Sequence, residues 1–168
     1  GYDGTSTREI TSLANCNISL ITHYFGSKQG LMQAIVSDCF DVEEQELNKL
    51  LASSESPNGI VSQFIDFFFD LFYQHTLVMR IIQREMIDLE NPTADYTRKR
   101  IKVNLEMIAE LIKRDPDIRS SEVSPNILAN ILIGMIASSL LNREELKDSS
   151  SVQNAKRFIK SCFLNRMK

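Results

Sequence analysis

The feature that most constrains the fold is an apolar tract between residues 64 and 73, in which six of ten residues are aromatic. Only Asp66 and Asp70 interrupt it. A helix that is apolar nearly all round lies at the centre of a bundle, because every face of it must be covered. The chain has only 6 Gly and 4 Pro in 168 residues, too few for the many tight turns of an all-β sandwich. The sequence therefore predicts an all-α fold with this helix in its core.

Apolar residues recur at helical spacing along most of the chain, and the segment from Ser53 to Gly59 is a clear linker. In the helix that begins at Lys28, the apolar stripe ends in an acidic stretch, Asp41 to Glu46, which we predict to be solvated. The predicted helices are two short ones at about 6–14 and 18–25, and longer ones at about 28–51, 60–75, 77–89, 93–114, 125–146 and 151–167.

The first two helices carry strong local signals. Ser6-Thr7-Arg8-Glu9 matches a capping box, in which serine and glutamate side chains satisfy each other's backbone amides. Asn15 can take the left-handed conformation of a turn, and Asn17 can cap the next helix. The apolar faces are predicted to be Ile10, Leu13 and Ala14 in the first helix, and Ile21 and Phe25 in the second. Two short helices joined by a three-residue turn form the helix-turn-helix pattern, but packing alone also produces such hairpins.

The residues of this hairpin are more specific than the pattern. Thr5 to Ile10, and then Ile21-Thr22-His23-Tyr24-Phe25-Gly26-Ser27-Lys28-Gln29-Gly30-Leu31, closely resemble the DNA-binding region of the TetR family of bacterial repressors. The resemblance covers about the first forty residues. It implies a helix-turn-helix DNA-binding domain at residues 1–40, followed by a helical-bundle ligand-binding and dimerisation domain at residues 41–168.

The family's first helix has no counterpart in this sequence. The opening residues, Gly1-Tyr2-Asp3-Gly4, have the chemistry of a turn that normally follows a helix. We therefore expect further residues to precede Gly1. The family also often has Gly where Asn15 stands and an aromatic residue where Thr22 stands.

The resemblance also implies which side chains contact DNA. Thr7, Tyr24 and Lys28 match the positions that hold phosphates, and a hydroxyl, a phenol and an ammonium near helix ends suit that role. The stretch that faces the major groove consists of Ile18, Ser19, Leu20, Thr22 and His23. Ser and Thr can bond either base type, and an aliphatic side chain can contact a thymine methyl.

An effector pocket in the helical domain is a further implication of the resemblance. Met and Phe side chains adapt well to apolar guests. We expect a wall formed by Phe68, Phe72, Met79, Met86 and Met107, with His75 or Arg84 as the polar anchor. Without the resemblance, core packing is the default interpretation of these residues.

Two apolar stripes near the C-terminus either complete a core or pair with a second copy of the chain. The resemblance favours a homodimer whose interface is built from the last two helices. The residues expected in that interface are Ile127, Leu128, Ile131, Leu132, Met135, Ile159 and Phe163.

The sequence lacks the residue sets that enzymes and metal sites use. It has no ordered Ser/His/Asp or Cys/His set and no glycine-rich phosphate loop, so we predict neither enzyme activity nor a cofactor. His23 and His75 with three scattered cysteines do not form a zinc site, and the cysteines are typical of reduced thiols in a cytoplasmic protein. Asp66 and Asp70 are interpreted as a solvated stripe and not as a catalytic or metal-binding pair. No run of about 18 apolar residues predicts a membrane span.

These features together predict a ligand-responsive, DNA-binding transcriptional regulator, most simply a repressor that binds a pseudo-palindromic operator as a dimer. Its partners would be double-stranded operator DNA and a small-molecule effector. The alternative is a helical small-molecule-binding or scaffold protein whose hairpin does not contact DNA.

Overall fold

The computed structural model describes residues 2, 4–87, 92–116, 122–140, 146 and 148–164, and the side chains of all of these except residues 84–87, 92 and 93. Within these ranges the chain forms eight α-helices and no strand, as predicted for an all-α fold. The helices are α1 (Thr7–Leu13), α2 (Ser19–Phe25), α3 (Lys28–Ala52), α4 (Pro57–Gln74), α5 (Thr76–Ile87), α6 (Pro92–Ile112), α7 (Pro125–Ser139) and α8 (Ser149–Leu164).

Four of these helices begin with the same device. A serine just before the helix accepts a hydrogen bond from the backbone amide three residues later, over 3.0–3.3 Å, which satisfies one of the free amides of the first turn. These serines are Ser6, Ser27, Ser56 and Ser124. At α1 the glutamate also reaches back, since Glu9 Oε2 accepts from the Ser6 amide at 2.6 Å, and the predicted capping box is confirmed.

Helix α4 is the centre of the core, as its apolar tract predicts. Phe64, Phe68 and Phe69 are each at most 1% exposed, and the rings of Phe64 and Phe68 stack with their centroids 4.3 Å apart. Helices α3, α5, α6, α7 and α8 all pack against α4 and cover most of its circumference. Each buried phenylalanine side chain contributes roughly 1.5–3 kcal/mol of stability.

Helix α3 is fixed at its C-terminal end by a residue of the turn that follows α6. The Arg114 guanidinium donates to the carbonyl oxygens of Ser53 at 3.2 Å and Leu50 at 3.5 Å, and also to that of Leu51. The Leu50 carbonyl also accepts from the Ser53 backbone amide at 3.2 Å, and the arginine adds donors at the end of the helix, where backbone donors run out.

Most predicted helix ends agree with the structure to within three residues, but the penultimate helix is shorter than predicted. It ends at Ser139, with Leu140 as its C-cap, and not near residue 146. The Ser139 hydroxyl donates to the Met135 carbonyl at 2.7 Å, which is the local competition that serine offers at a helix end. Residues 141–145 lie outside the described part of the chain.

Of the predicted apolar face of α1, only Ile10 is half-buried, and the prediction is wrong for Leu13 and Ala14. Leu13 is 89% exposed and Ala14 is exposed, whereas the buried residue is Thr11, at 4%. The Thr11 hydroxyl donates to the Thr7 carbonyl at 2.9 Å, so the helix itself satisfies the buried polar group. Periodicity identifies an apolar face, but the neighbouring helices decide which face is covered. In α2, similarly, Ile21 is buried while Phe25 remains 39% exposed.

Asp66 and Asp70 do not form a free solvated stripe. Lys156 Nζ lies 2.6 Å from Asp70 Oδ1, and Lys160 Nζ lies 2.5 Å from Asp66 Oδ2. The carboxylates remain about half exposed, but the Lys156 side chain is only 6% exposed and its ammonium lies over the Phe69 ring. The two carboxylates of α4, four residues apart, therefore form ion pairs with two lysines of α8 that are also four residues apart.

Candidate DNA-reading surface and internal cavity

The turn between α1 and α2 has the geometry that its asparagines predict. Asn15 has a positive φ of 50°, a conformation that asparagine tolerates better than most residues. The Cys16 amide donates to the Thr11 carbonyl at 2.9 Å and closes the turn. Asn17 Oδ1 then accepts from both the backbone amide and the hydroxyl of Ser19, at 2.9 Å each, and so caps α2. The turn therefore sets α2 at a defined angle to α1.

Helix α2 presents its polar side to solvent. Ile21 is 5% exposed and attaches the helix to the rest of the chain. The residues predicted to face DNA bases, Ile18, Ser19, Leu20, Thr22 and His23, are all exposed. Four of them share one helical face by their spacing, while Leu20 lies at its edge. A short exposed helix of this kind fits a major groove.

The three predicted phosphate-binding residues lie around this helix. Thr7 is the first residue of α1 and Lys28 the first residue of α3, so both stand at the positive end of a helix. The Lys28 ammonium donates to the Tyr2 carbonyl and lies 4.2 Å from the centroid of the Tyr2 ring. Tyr24 is 70% exposed. Gly26 has a positive φ of 72°, which glycine adopts readily, and it allows α3 to begin after a connection of only two residues, Gly26 and Ser27.

A cavity of about 140 Å³ lies inside the helical bundle, between α3, α4, α5, α6 and α7. Phe68, Phe72 and Met79, which were predicted to form a pocket wall, all line it. Its other lining residues are Phe40, Glu43, Ile82, Gln83, Ile101, Asn104, Leu105, Ile108, Asn130, Ile133 and Ala137. Most of this wall is apolar.

Two other residues expected in the pocket, His75 and Met107, are not in this wall. His75 is exposed at the C-cap of α4. Met107 is half-buried and lines a separate outer groove with Leu51. The side chains of Arg84 and Met86 lie outside the described residues. His75 is therefore not the polar anchor of this cavity, the alternative Arg84 stays a prediction, and the described wall contains another polar pair.

Glu43 and Asn104 form the polar end of the cavity. Asn104 Nδ2 donates to Glu43 Oε2 at 2.7 Å, and both residues are only 4% exposed. Loss of solvation raises the pKa of Glu43 from 4.5 to about 7, which the Asn104 hydrogen bond and the charge of Arg100 only partly oppose. Asn104 Oδ1 is buried without a hydrogen-bond partner among the described residues. The cavity thus ends in an acid beside a free acceptor.

The prediction that residues 41–46 are solvated is therefore wrong for Glu43. The sequence holds a signal for its burial, because Phe40, Glu43, Leu47 and Leu50 follow one helical stripe, and the other three are buried as well. Its neighbours Asp41 and Glu44 do point outwards, where they pair with Arg100 at 2.6 and 3.1 Å.

The predicted dimer residues divide into two groups. Ile127 and Ile131 are 54% and 48% exposed on one face of α7, and Leu128 and Met135 are half-buried beside them. Leu132, Ile159 and Phe163 are at most 5% exposed within the single chain, because they complete the core between α4, α7 and α8. In the single chain these three side chains are therefore used in the core, and their part in an interface stays a prediction. Phe158 of α8, which is not among the predicted interface residues, is 66% exposed.

No described helix combines the length and the apolar character that a membrane crossing requires. The described side chains also include no cluster of three or more His, Cys, Asp or Glu that could hold a metal ion.

Comparison with known proteins gives matches to the N-terminal region and to longer parts of the chain. Residues 1–35 match the family model of bacterial regulatory proteins of the TetR family. The Probable HTH-type transcriptional regulator YttP of Bacillus subtilis is 35% identical over 89 residues, which are 51% of this chain and 42% of that protein. The chain thus matches less than half the length of this relative.

Solved structures extend the likeness to the whole fold. A regulator from Clostridium perfringens has a TM-score of 0.86 at 20% identity, covering 98% of this chain and 90% of that one. AibR, described in complex with isovaleryl coenzyme A and operator DNA, has a TM-score of 0.77 at 18% identity, covering 96% and 88%. YttP and the Clostridium perfringens protein are both described as regulators. Residues 1–35 are therefore similar to the DNA-binding region of the TetR family of bacterial regulatory proteins, and the described chain has the fold of solved bacterial regulators.

Proposed function

We propose that the protein is a ligand-responsive transcriptional repressor that binds a pseudo-palindromic operator as a homodimer. One observation carries the proposal: a single helix, α3, begins beside the exposed face of α2 and also forms part of the cavity wall. Lys28 is its first residue, and Phe40 and Glu43 line the cavity. A molecule in the cavity would contact the helix that carries the DNA-binding end.

On DNA, Thr7, Tyr24 and Lys28 would hold phosphates and fix the position of α2 on the duplex. Ile18, Ser19, Leu20, Thr22 and His23 would then lie in the major groove, where their exposed side chains reach base edges. Ser19 and Thr22 offer hydroxyls that serve as donor or acceptor, and Ile18 offers a methyl surface.

A dimer would place two such helices on successive half-sites, about 34 Å apart or a multiple of it. The exposed face of α7 at Ile127 and Ile131, with Leu128 and Met135, is the surface that would pair, and Phe158 of α8 would extend it. A symmetric interface of this kind brings the same patch of both copies together. The boundary between DNA-binding residues 1–40 and ligand-binding residues 41–168 then falls within α3, so that one rigid helix joins the two regions.

Release of DNA by a ligand requires that the ligand bind the free and the DNA-bound arrangements with different affinity. The cavity supports such a role because it lies between α3 and four other helices. AibR, which shares the fold, is described with both an acyl coenzyme A and operator DNA bound. A cytoplasmic location follows from this function.

Fluorescence anisotropy with DNA from the protein's own promoter region, measured over a series of salt concentrations, tests the proposal. Wild type should bind in a strongly salt-dependent way. The double variant Lys28→Ala, Tyr24→Phe should bind DNA more weakly. Because one phosphate contact by a charged side chain is lost, the slope of log K against log salt concentration should become smaller in magnitude by about 1. Lys49→Ala is the matched control on the same helix, because Lys49 is exposed and pairs only with Glu46 in the described structure.

Binding no tighter than to random DNA would overturn the proposal. A helical ligand-binding or scaffold protein would then explain the fold better, and its binding of an apolar ligand should respond little to salt.

A further inference from the structure

The polar end of the cavity has more hydrogen-bond acceptors than donors among the described residues. Asn104 uses its amide nitrogen to donate to Glu43, which leaves Oδ1 buried and without a partner among the described residues. The ionised Glu43 carboxylate accepts only, and one of its oxygens receives the Asn104 hydrogen bond. A buried acceptor without a partner is destabilising, so a ligand that donates a hydrogen bond to it is stabilised there.

No described positive charge lies in the cavity wall. Arg100 of α6, one turn before Asn104, directs its guanidinium outwards to Asp41 and Glu44. Cys39, next to this region on α3, has a pKa raised to about 12 by burial and stays neutral. The described wall residues of α4, α5 and α7 are apolar or carry uncharged amides. The Glu43 carboxylate therefore has no cation of its own among the described residues of the cavity wall.

We propose that the cavity binds a small organic amine, whose ammonium donates to Glu43 and to Asn104 Oδ1 and whose apolar body packs against Phe68, Phe72 and Met79. An ammonium has three donors and can serve both acceptors at once. The volume of about 140 Å³ suits a body the size of one aromatic ring, since a cavity of about 150 Å³ can hold benzene. The inference rests on the proposed function only in treating this cavity as the effector site.

The amine should bind more tightly above neutral pH than below it. The pKa of Glu43 is about 7, so at pH 8 the carboxylate is mostly ionised and at pH 6 it is mostly protonated. Protonation removes the charge that the ammonium pairs with. A ligand that carries a carboxylate would show the opposite preference, because it is repelled by the ionised form.

Isothermal titration calorimetry on the whole chain at pH 8 tests the proposal with three probes of matched shape: benzylamine, toluene and benzoate. We expect benzylamine to bind at least about tenfold more tightly than toluene, since hydrogen bonds to charged groups are stronger than those between neutral groups. Benzoate should not bind. At pH 6 the advantage of benzylamine over toluene should fall.

Glu43→Gln should remove that advantage while toluene still binds, which shows that the cavity is intact. The matched control is Glu44→Gln, which removes the same charge from the next residue outside the cavity and should leave benzylamine affinity unchanged. Asn104→Ala should also weaken benzylamine more than toluene.

The proposal is overturned if benzoate or toluene binds as tightly as benzylamine, if Glu43→Gln leaves the preference intact, or if none of the three probes binds. Fluorescence anisotropy with operator DNA tests the proposed function independently of this experiment. If the protein does not bind DNA, the proposed function is wrong, but the calorimetry still tests which ligand the cavity binds.

Discussion

Gly30, in the first turn of α3, lies directly behind the carbonyl oxygen of Phe25, the last residue of α2. A Cβ atom built on Gly30 would lie 1.9 Å from that oxygen, far inside van der Waals contact. The close approach is possible because Gly26, with its positive φ, and Ser27 form the whole connection between the two helices. It fixes the angle at which the exposed helix α2 leaves α3.

Gly30→Ala should therefore displace α2. We expect a loss of stability of at least about 1 kcal/mol, despite the roughly 1 kcal/mol that alanine normally adds within a helix. The free energy of operator binding should be weakened by more than the free energy of unfolding is lowered. Thermal unfolding and anisotropy measure the two effects.

The control for this substitution is Gly134→Ala in α7, where an added Cβ would meet nothing within 4 Å. That variant should be as stable as wild type or slightly more stable. Equal behaviour of the two variants would contradict the steric argument.

Stability should depend on pH through Glu43. Its pKa rises from 4.5 to about 7 on folding, so the folded chain binds this proton more tightly than the unfolded chain does. The contribution is fully present below about pH 4.5 and is lost as the pH rises through about 7. For this shift the loss is roughly 3 kcal/mol.

Urea unfolding of wild type and Glu43→Gln at pH 4.5 and pH 8 isolates this contribution. Wild type should lose more stability than the variant between the two values, whereas Glu44→Gln should follow wild type. Parallel pH dependence in wild type and Glu43→Gln would rule out a raised pKa.

The two ion pairs between α4 and α8 should differ in their effect on stability. Asp70→Asn leaves the ammonium of Lys156, whose side chain is only 6% exposed, without its partner. We expect a loss of about 2 kcal/mol, below the value for a fully buried pair because Asp70 is half exposed. Asp66→Asn affects the more exposed Lys160 and should cost less than about 1 kcal/mol.

A double variant separates charge from packing at the Asp70 pair. Combining Lys156→Met with Asp70→Asn should recover most of the stability lost in Asp70→Asn alone, since no unpaired charge is then buried. Chemical denaturation of wild type, Asp70→Asn and the double variant measures the free energies of unfolding that this comparison needs. If the double variant is less stable than Asp70→Asn, the pair acts through more than its charge.

The three cysteines should react with thiol reagents in the order of their exposure. Cys16 is exposed in the turn between α1 and α2, Cys162 is half-buried and Cys39 is buried. Burial, assisted by the negative charges of Glu43 and Asp38, raises the pKa of Cys39 to about 12, so its reactive thiolate is scarce. Mass spectrometry after iodoacetamide treatment should show Cys16 modified first and Cys39 only after unfolding. Equal rates at Cys16 and Cys39 would contradict the described packing.

The features that the sequence predicted correctly are those whose cause lies within a few residues. The Ser6–Glu9 capping box, the positive φ at Asn15 and the apolar tract of α4 all depend on neighbours in the chain. The TetR-type hairpin is recognisable for the same reason, since its distinctive residues are contiguous.

The features that the sequence did not predict depend on distant partners. Glu43 is buried beside Asn104, 61 residues later in the chain, which donates a hydrogen bond to its carboxylate. Asp70 is paired because Lys156 of α8 packs against α4. Local periodicity indicates that α7 and α8 have apolar faces, but only their packing shows that Leu132 faces the core while Ile131 faces solvent. Which partner covers a face is decided by tertiary structure.

The Arg114 hydrogen bonds to the end of α3 have a mechanical consequence. They hold the C-terminal end of the helix, which lies about 15 Å from Glu43 and about 37 Å from Lys28 at 1.5 Å per residue. A straight helix that turns about this point amplifies motion along its length, so a shift of about 1 Å at Glu43 becomes about 2.5 Å at Lys28.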